Sequence, residues 1–186
     1  MIPSVLVNLA IVLCTAGAIL KHGRNSPMKV ILRYFTALSN ILCAIAALSV
    51  VIARLCGHVP QAVLVLKYVS TCAVAVTLLT VLLFLGPMIG YKPLLTGPDF
   101  WLHLVCPVLA IVSLLAWDQP SPGIGAVLLG ALPVAAYALL YLYKVLYAPA
   151  EKRWDDFYGF NRGGRWPVSF AVMTAGALLV SWLLWL

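Results

Sequence analysis

The sequence predicts an all-α integral membrane bundle of six transmembrane helices, and three observations carry that prediction. Of the 186 residues, 64% are hydrophobic and only 9% are charged, a composition that a soluble domain could not cover with polar surface. The apolar residues gather into six stretches, each close to the roughly 17–25 residues that a helix needs to cross a bilayer. The charged residues fall mostly in the short segments between them. Residues 1–186 therefore read as a single transmembrane domain.

The helices are expected near residues 2–20, 30–53, 62–86, 100–117, 124–147 and 166–186. Hydrocarbon offers no water to bond a bare amide, so each span has to satisfy its own backbone as a helix. The first stretch is apolar from Met1 to Leu20 without a basic leader, so it reads as a span and not as a cleaved signal. The second is free of charge between Arg33 and Arg54, and the third reaches back past Lys67 toward Ala62. Trp101 and Trp117 bracket the fourth, and Trp166, Trp182 and Trp185 mark the ends of the sixth, as indoles do at a membrane interface. Pro107 and Pro133 lie inside the fourth and fifth helices and are expected to kink them. The connections carry turn formers: K-H-G-R-N-S-P at 21–27, G-H-V-P-Q at 57–61, a breaker-rich stretch at 86–99 and D-Q-P-S-P-G at 118–123. The longest polar stretch is 148–166.

A net charge of +7 invites a nucleic-acid reading, but no basic helix face or basic run supports one, and no nucleic-acid partner is expected. Membrane topology accounts for the charge. Lys21, Arg24, Lys29, Arg33, Lys92, Lys144, Lys152, Arg153, Arg162 and Arg165 fall on the side of loops 1, 3 and 5, against Arg54 and Lys67 on the other. The positive-inside rule then makes loops 1, 3 and 5 cytoplasmic and both termini extracytoplasmic. The five cysteines (Cys14, Cys43, Cys56, Cys72 and Cys106) show no C-x-x-C spacing and read as small packing residues. His22 and His58 sit in loops on opposite sides, so no metal site is expected from the histidines, and no cofactor is called for.

Polar residues inside spans are the informative ones. One cluster opens the second helix, where Arg33, Thr36 and Asn40 share a helical face with Ser39 beside it. A second opens the fourth, where Asp99 and His103 are one turn apart, so the carboxylate is a candidate orienter of the imidazole. At about 1.5 Å of rise per residue, Thr36 and His103 lie at similar depth below one surface. A hydroxyl beside an imidazole is the minimum for an activated nucleophile. The same residues also have structural uses: hydroxyls bond back to a carbonyl one turn away, an Asn glues helices together, and an Arg snorkels to the head groups.

The segments Y-F-T-A-L-S-N-I-L (34–42), F-W-L-H-L-V-C-P-V-L (100–109) and W-D-D-F-Y-G-F (154–160) resemble the androgen-induced-gene family of multi-pass membrane proteins and its shorter bacterial-type relatives. That resemblance implies an atypical threonine hydrolase acting within the membrane on fatty acid esters of hydroxy fatty acids or similar lipid esters. It carries the nucleophile to Thr36 and the base to His103. Asp99 as orienter, with Asn40, Ser39 and Arg33 as polar support and Asn40 or Arg33 as oxyanion donors, are inferences from the residues themselves. The expected partners are a lipid ester and the surrounding lipid. The competing reading is a non-catalytic lipid-binding or small-solute transport protein.

Overall fold

The structure, a computed structural model, describes all residues except 1, 122 and 124. Among the described residues it is helical and contains no strand. Six helices are long and apolar enough to cross a membrane: α1 (Ile2–Asn25), α2 (Phe35–Leu55), α3 (Gln61–Ile89), α4 (Pro98–Trp117), α5 (Ala126–Tyr147) and α6 (Trp166–Trp185). They form one all-α bundle. α3 occupies the centre and packs on α2, α4, α5 and α6, while α1 lies against α2 and α4.

Three boundaries differ from the sequence expectation, each for a local reason. The polar segment 21–27 is not a turn along its length, because α1 continues through Lys21, His22 and Arg24 to Asn25. Nothing in K-H-G-R-N breaks a helix except Gly23, which costs about 1 kcal/mol; Pro27 then forces the preceding residue out of helical geometry. The second helix does not start near residue 30. Met28–Ile31 is a separate turn, and Tyr34 is extended (φ −89°, ψ 131°) before α2 begins at Phe35. Groups from other elements take over the backbone partners at this break. Tyr137 Oη donates to the Arg33 carbonyl at 2.6 Å, and the Phe35 N–H donates to Tyr158 Oη at 3.1 Å. Arg33 therefore lies outside α2 and does not share a helical face with Thr36 and Asn40. Lastly, α3 does not stop at residue 86 but runs on through Gly86 and Pro87 of the expected connection to Ile89, with a π turn over Val81–Leu85 accommodating the proline; the expected start of α5 at residue 124, and residue 122 of the turn expected at 118–123, lie outside the described residues.

The helices are patterned for lipid. On α1 the buried side chains include Ser4, Asn8 and Thr15, while Leu6, Leu13 and Leu20 are exposed. On α2, Ala46, Ala47 and Asn40 face inward, and Ile45, Leu48 and Ile52 face out. Small and polar residues let helices approach and bond, and large aliphatic ones meet the acyl chains. Gly130 of α5 shows the closeness required: a Cβ there would collide with Ser181 Oγ of α6 and Cys72 Sγ of α3.

At the end of the bundle where α2 stops and α3 starts, a buried polar network ties four helices. The Lys67 ammonium is fully buried and donates to Asn8 Oδ1 at 2.7 Å. Asn8 Nδ2 donates to Asp118 Oδ2 at 2.8 Å, and Ser113 and Ser4 donate to the same carboxylate. Arg54 reaches Asp118 Oδ1 at 3.0 Å and the Trp117 carbonyl at 2.7 Å. Burial alone would raise the Asp118 pKa, but the hydrogen bonds from Ser113, Asn8, Arg54 and Ser4 outweigh it and hold the carboxyl below its ordinary 3.8. A folded-state pKa below the unfolded one means that this contribution is present above the unfolded value and is lost as pH falls through the depressed one. Asp118→Ala is expected to cost about 3–5 kcal/mol, as when one partner of a buried ion pair is removed. Unfolding by sodium dodecyl sulfate in mixed micelles measures that loss at pH 7, and the gap between wild type and variant should narrow only below pH 3.8.

Candidate functional site

The site is built at the opposite end of the bundle, where α2 and α4 both begin. Thr36 stands in the first turn of α2, and His103 lies one turn into α4. Thr36 Oγ1 and His103 Nε2 are 3.2 Å apart. The other ring nitrogen, Nδ1, is 2.7 Å from the Leu94 carbonyl. A carbonyl only accepts, so Nδ1 carries a proton. In the neutral ring Nε2 is then left with its lone pair, which accepts the Thr36 hydroxyl proton. His103 is buried and Thr36 half-buried, so the pair is shielded while remaining in contact with cavities on either side.

Pro107 explains the local shape of α4. It has no N–H to offer the His103 carbonyl four residues back, and its ring would clash with that carbonyl. The chain answers with a wider π-helical turn over Trp101–Val105, in which the Cys106 N–H donates to the Trp101 carbonyl. π turns inside α-helices frequently accompany functional sites. Here the turn carries His103 itself. Pro133, by contrast, is accommodated within the continuous helix of α5.

Asn40 fixes α2 to α4. Its Nδ2 donates to the Thr36 carbonyl at 2.8 Å and to the Leu102 carbonyl at 3.0 Å. One amide thus bridges the residue that carries the hydroxyl and the residue before the imidazole. Ser39 Oγ also donates to the Thr36 carbonyl at 3.2 Å, and it meets Thr77 Oγ1 of α3 at 3.0 Å.

The structure corrects three of the expected roles. Asp99 does not orient His103; it pairs with His22 of α1, Oδ1 to Nε2 at 3.0 Å, because the extended α1 carries His22 down beside it. The orienting group is the Leu94 backbone, in the single turn Tyr91–Leu94 that follows Gly90 at φ 88°. Arg33 is not placed as the oxyanion donor, since its guanidinium lies over the Trp154 ring, 6.0 Å from the centroid, rather than at Thr36. Asn40 cannot be one either, because both N–H bonds of its amide are spent on carbonyls.

The loop before α6 supplies what sequence reasoning missed. Asp156 organises it by accepting from Tyr141 Oη at 3.0 Å and from the Phe160 and Asn161 N–H groups at 2.8 Å each. Tyr158 is thereby held against the start of α2, where its hydroxyl takes the Phe35 N–H. The aromatic segment was visible as a motif, but its docking on the start of α2 at Phe35 is a long-range contact that no local spacing encodes.

Two cavities meet at Thr36. One, of about 360 Å³, lies between α3, α5 and α6 and is lined by apolar side chains such as Phe84, Met88, Val134 and Val172. Phe84, Val168 and Val172 are also exposed on the outer face of the bundle, so this cavity opens sideways between α3 and α6. The other, of about 390 Å³, is lined by His22, Asp99, His103 and Tyr34 among others. Thr36 and Tyr158 line both. Comparison with protein-family models, with curated proteins and with solved structures finds no match to this chain.

If the amide bridge holds the pair together, Asn40→Leu should cost about 1–2 kcal/mol for its two hydrogen bonds. Ser39→Ala should cost less, because the Thr36 carbonyl keeps its bond from Asn40. The same micellar unfolding assay ranks the two, and equal losses would show that Asn40 has no special part in joining α2 to α4.

Proposed function

We propose that this chain is an intramembrane lipid-ester hydrolase with Thr36 as nucleophile and His103 as general base. The observation that carries the reading is the Thr36–His103 contact at 3.2 Å, with the imidazole tautomer set by the Leu94 carbonyl. A threonine hydroxyl is a hindered and weak nucleophile, so it requires a base already poised on its proton.

In the proposed cycle, Thr36 Oγ1 attacks the ester carbonyl carbon while His103 Nε2 takes the hydroxyl proton. The carbonyl π pair moves to oxygen. As it returns, the bond to the alcohol oxygen breaks and the His103 proton goes to the departing alcohol. Water, deprotonated by the same nitrogen, then attacks the acyl-threonine, releases the carboxylic acid and restores the hydroxyl. The lateral apolar cavity suits an acyl chain arriving from the bilayer. The cavity lined by His22 and Asp99 suits the more polar part of the ester and admits water. Fatty acid esters of hydroxy fatty acids, or similar lipid esters, fit this division. No cofactor takes part in the scheme. We further propose that the site faces the cytoplasmic leaflet, because the ends of α1, α3 and α5 carry the excess of Lys and Arg.

The test is turnover of a branched fatty acid ester of a hydroxy fatty acid by purified wild type, Thr36→Ala and His103→Ala in detergent. Wild-type turnover with both variants folded and at least about 10³-fold slower is the expected result, since nucleophile and base act as a unit. Variants that retain wild-type rates would remove the pair from the mechanism. An inert wild type would favour a non-catalytic lipid-binding role.

A further inference from the structure

A tetrahedral oxyanion formed at Thr36 needs donors about 2.7–3.1 Å from its oxygen, and the groups first suggested for that task are occupied elsewhere. The start of α2 provides one. In its first turn the Phe35 N–H donates to Tyr158, and the Ala37 and Leu38 N–H groups both donate to the Tyr34 carbonyl. Among the described residues, the Thr36 N–H is the first-turn donor left without an acceptor. It belongs to the nucleophilic residue itself, so it lies within reach of any carbonyl that Thr36 Oγ1 attacks.

Tyr158 provides the other. Its hydroxyl is bonded at the residue before Thr36, and Tyr158 and Thr36 both line each of the two cavities. The hydroxyl oxygen accepts from the Phe35 N–H at 3.1 Å, which directs the phenolic proton away from the helix backbone. The loop is held independently by Asp156, so the ring is positioned before any substrate arrives.

We infer that the Tyr158 hydroxyl and the Thr36 N–H are the oxyanion donors of this site, binding the ester carbonyl oxygen where the two cavities join. The inference rests on the hydrolase reading above and adds a catalytic residue to it. As charge develops on the carbonyl oxygen, the two hydrogen bonds shorten and strengthen, and the phenol keeps its proton throughout. Burial pushes the Tyr158 pKa up to about 12, so the group remains a donor at neutral pH.

A thionoester distinguishes an oxyanion donor from a merely structural hydroxyl, because sulfur in place of the carbonyl oxygen accepts hydrogen bonds poorly. Wild type, Thr36→Ala and Tyr158→Phe would each be assayed on a lipid ester and on its thionoester. Tyr158→Phe is expected to lower kcat for the ester by about 10²–10³-fold, the range for loss of one such donor, with little change in KM. The ester-to-thionoester rate ratio, large in wild type, should collapse in this variant. If Tyr158→Phe slows both substrates equally, or slows neither, Tyr158 is not the donor, although Thr36 and His103 keep their roles. If wild type turns over the ester no faster than Thr36→Ala, the hydrolase reading fails and this inference fails with it.

Discussion

A polar group inside a membrane bundle has to find its partner within the protein, and Asn40 is where that constraint shapes the site. In the second turn of α2, its amide has two N–H bonds to place, and the acceptors it finds are the carbonyls of Thr36 and Leu102. An unsatisfied amide in hydrocarbon costs several kcal/mol. The bridge is therefore difficult to break, and it keeps the residue with the hydroxyl beside the helix with the imidazole. The bridge keeps Thr36 and His103 within 3.2 Å of each other, with a cavity on either side of Thr36.

The same constraint organises the other end. Lys67, Asn8 and Asp118 are all fully buried, and they remain so because each completes another's bonding. α2 and α4 are thus joined twice, through Asn40 near their starts and through Arg54 with Asp118 near their ends. Between these points Cys43 and Ala47 of α2 and Ala110 of α4 share a buried cluster with Ile11 of α1 and Val74 of α3. The polar residues fix which helices meet, and the small residues fix how closely.

Much of the architecture was legible in the sequence because lipid leaves the chain few choices. Long apolar runs must be helices, and the six spans could be counted from composition alone. The pairing of Thr36 with His103 was accessible through their matching depth, although depth says nothing about which helices are neighbours. Other features were not accessible, for identifiable reasons. The Leu94 carbonyl that orients His103 is a backbone atom, so no residue type announces it. The pairing of Asp99 with His22 depends on α1 running past its apolar stretch, which hydropathy does not register. Asn8 and Asp118 are distant in sequence and gain meaning only together. The break before Phe35 exists because Tyr137 and Tyr158, more than a hundred positions away, supply the missing backbone partners.

The uneven distribution of these bonds has a mechanical consequence. α6 is held by hydrogen bonds at Ser181, which gives its hydroxyl to the Val127 carbonyl at 2.8 Å, while its own carbonyl takes the Tyr68 hydroxyl at 2.6 Å. That point lies near one end of the helix. The other half, with Val168, Val172 and Met173, rests against the lateral cavity through apolar contact. Such contact is nearly interchangeable with contact to lipid tails, since hydrocarbon is as apolar as the helix surface it would replace. α6 is thus tied by hydrogen bonds at one end and held by apolar packing alone over the half that lines the cavity, so the wall facing Thr36 is made of contacts that carry no directional bond.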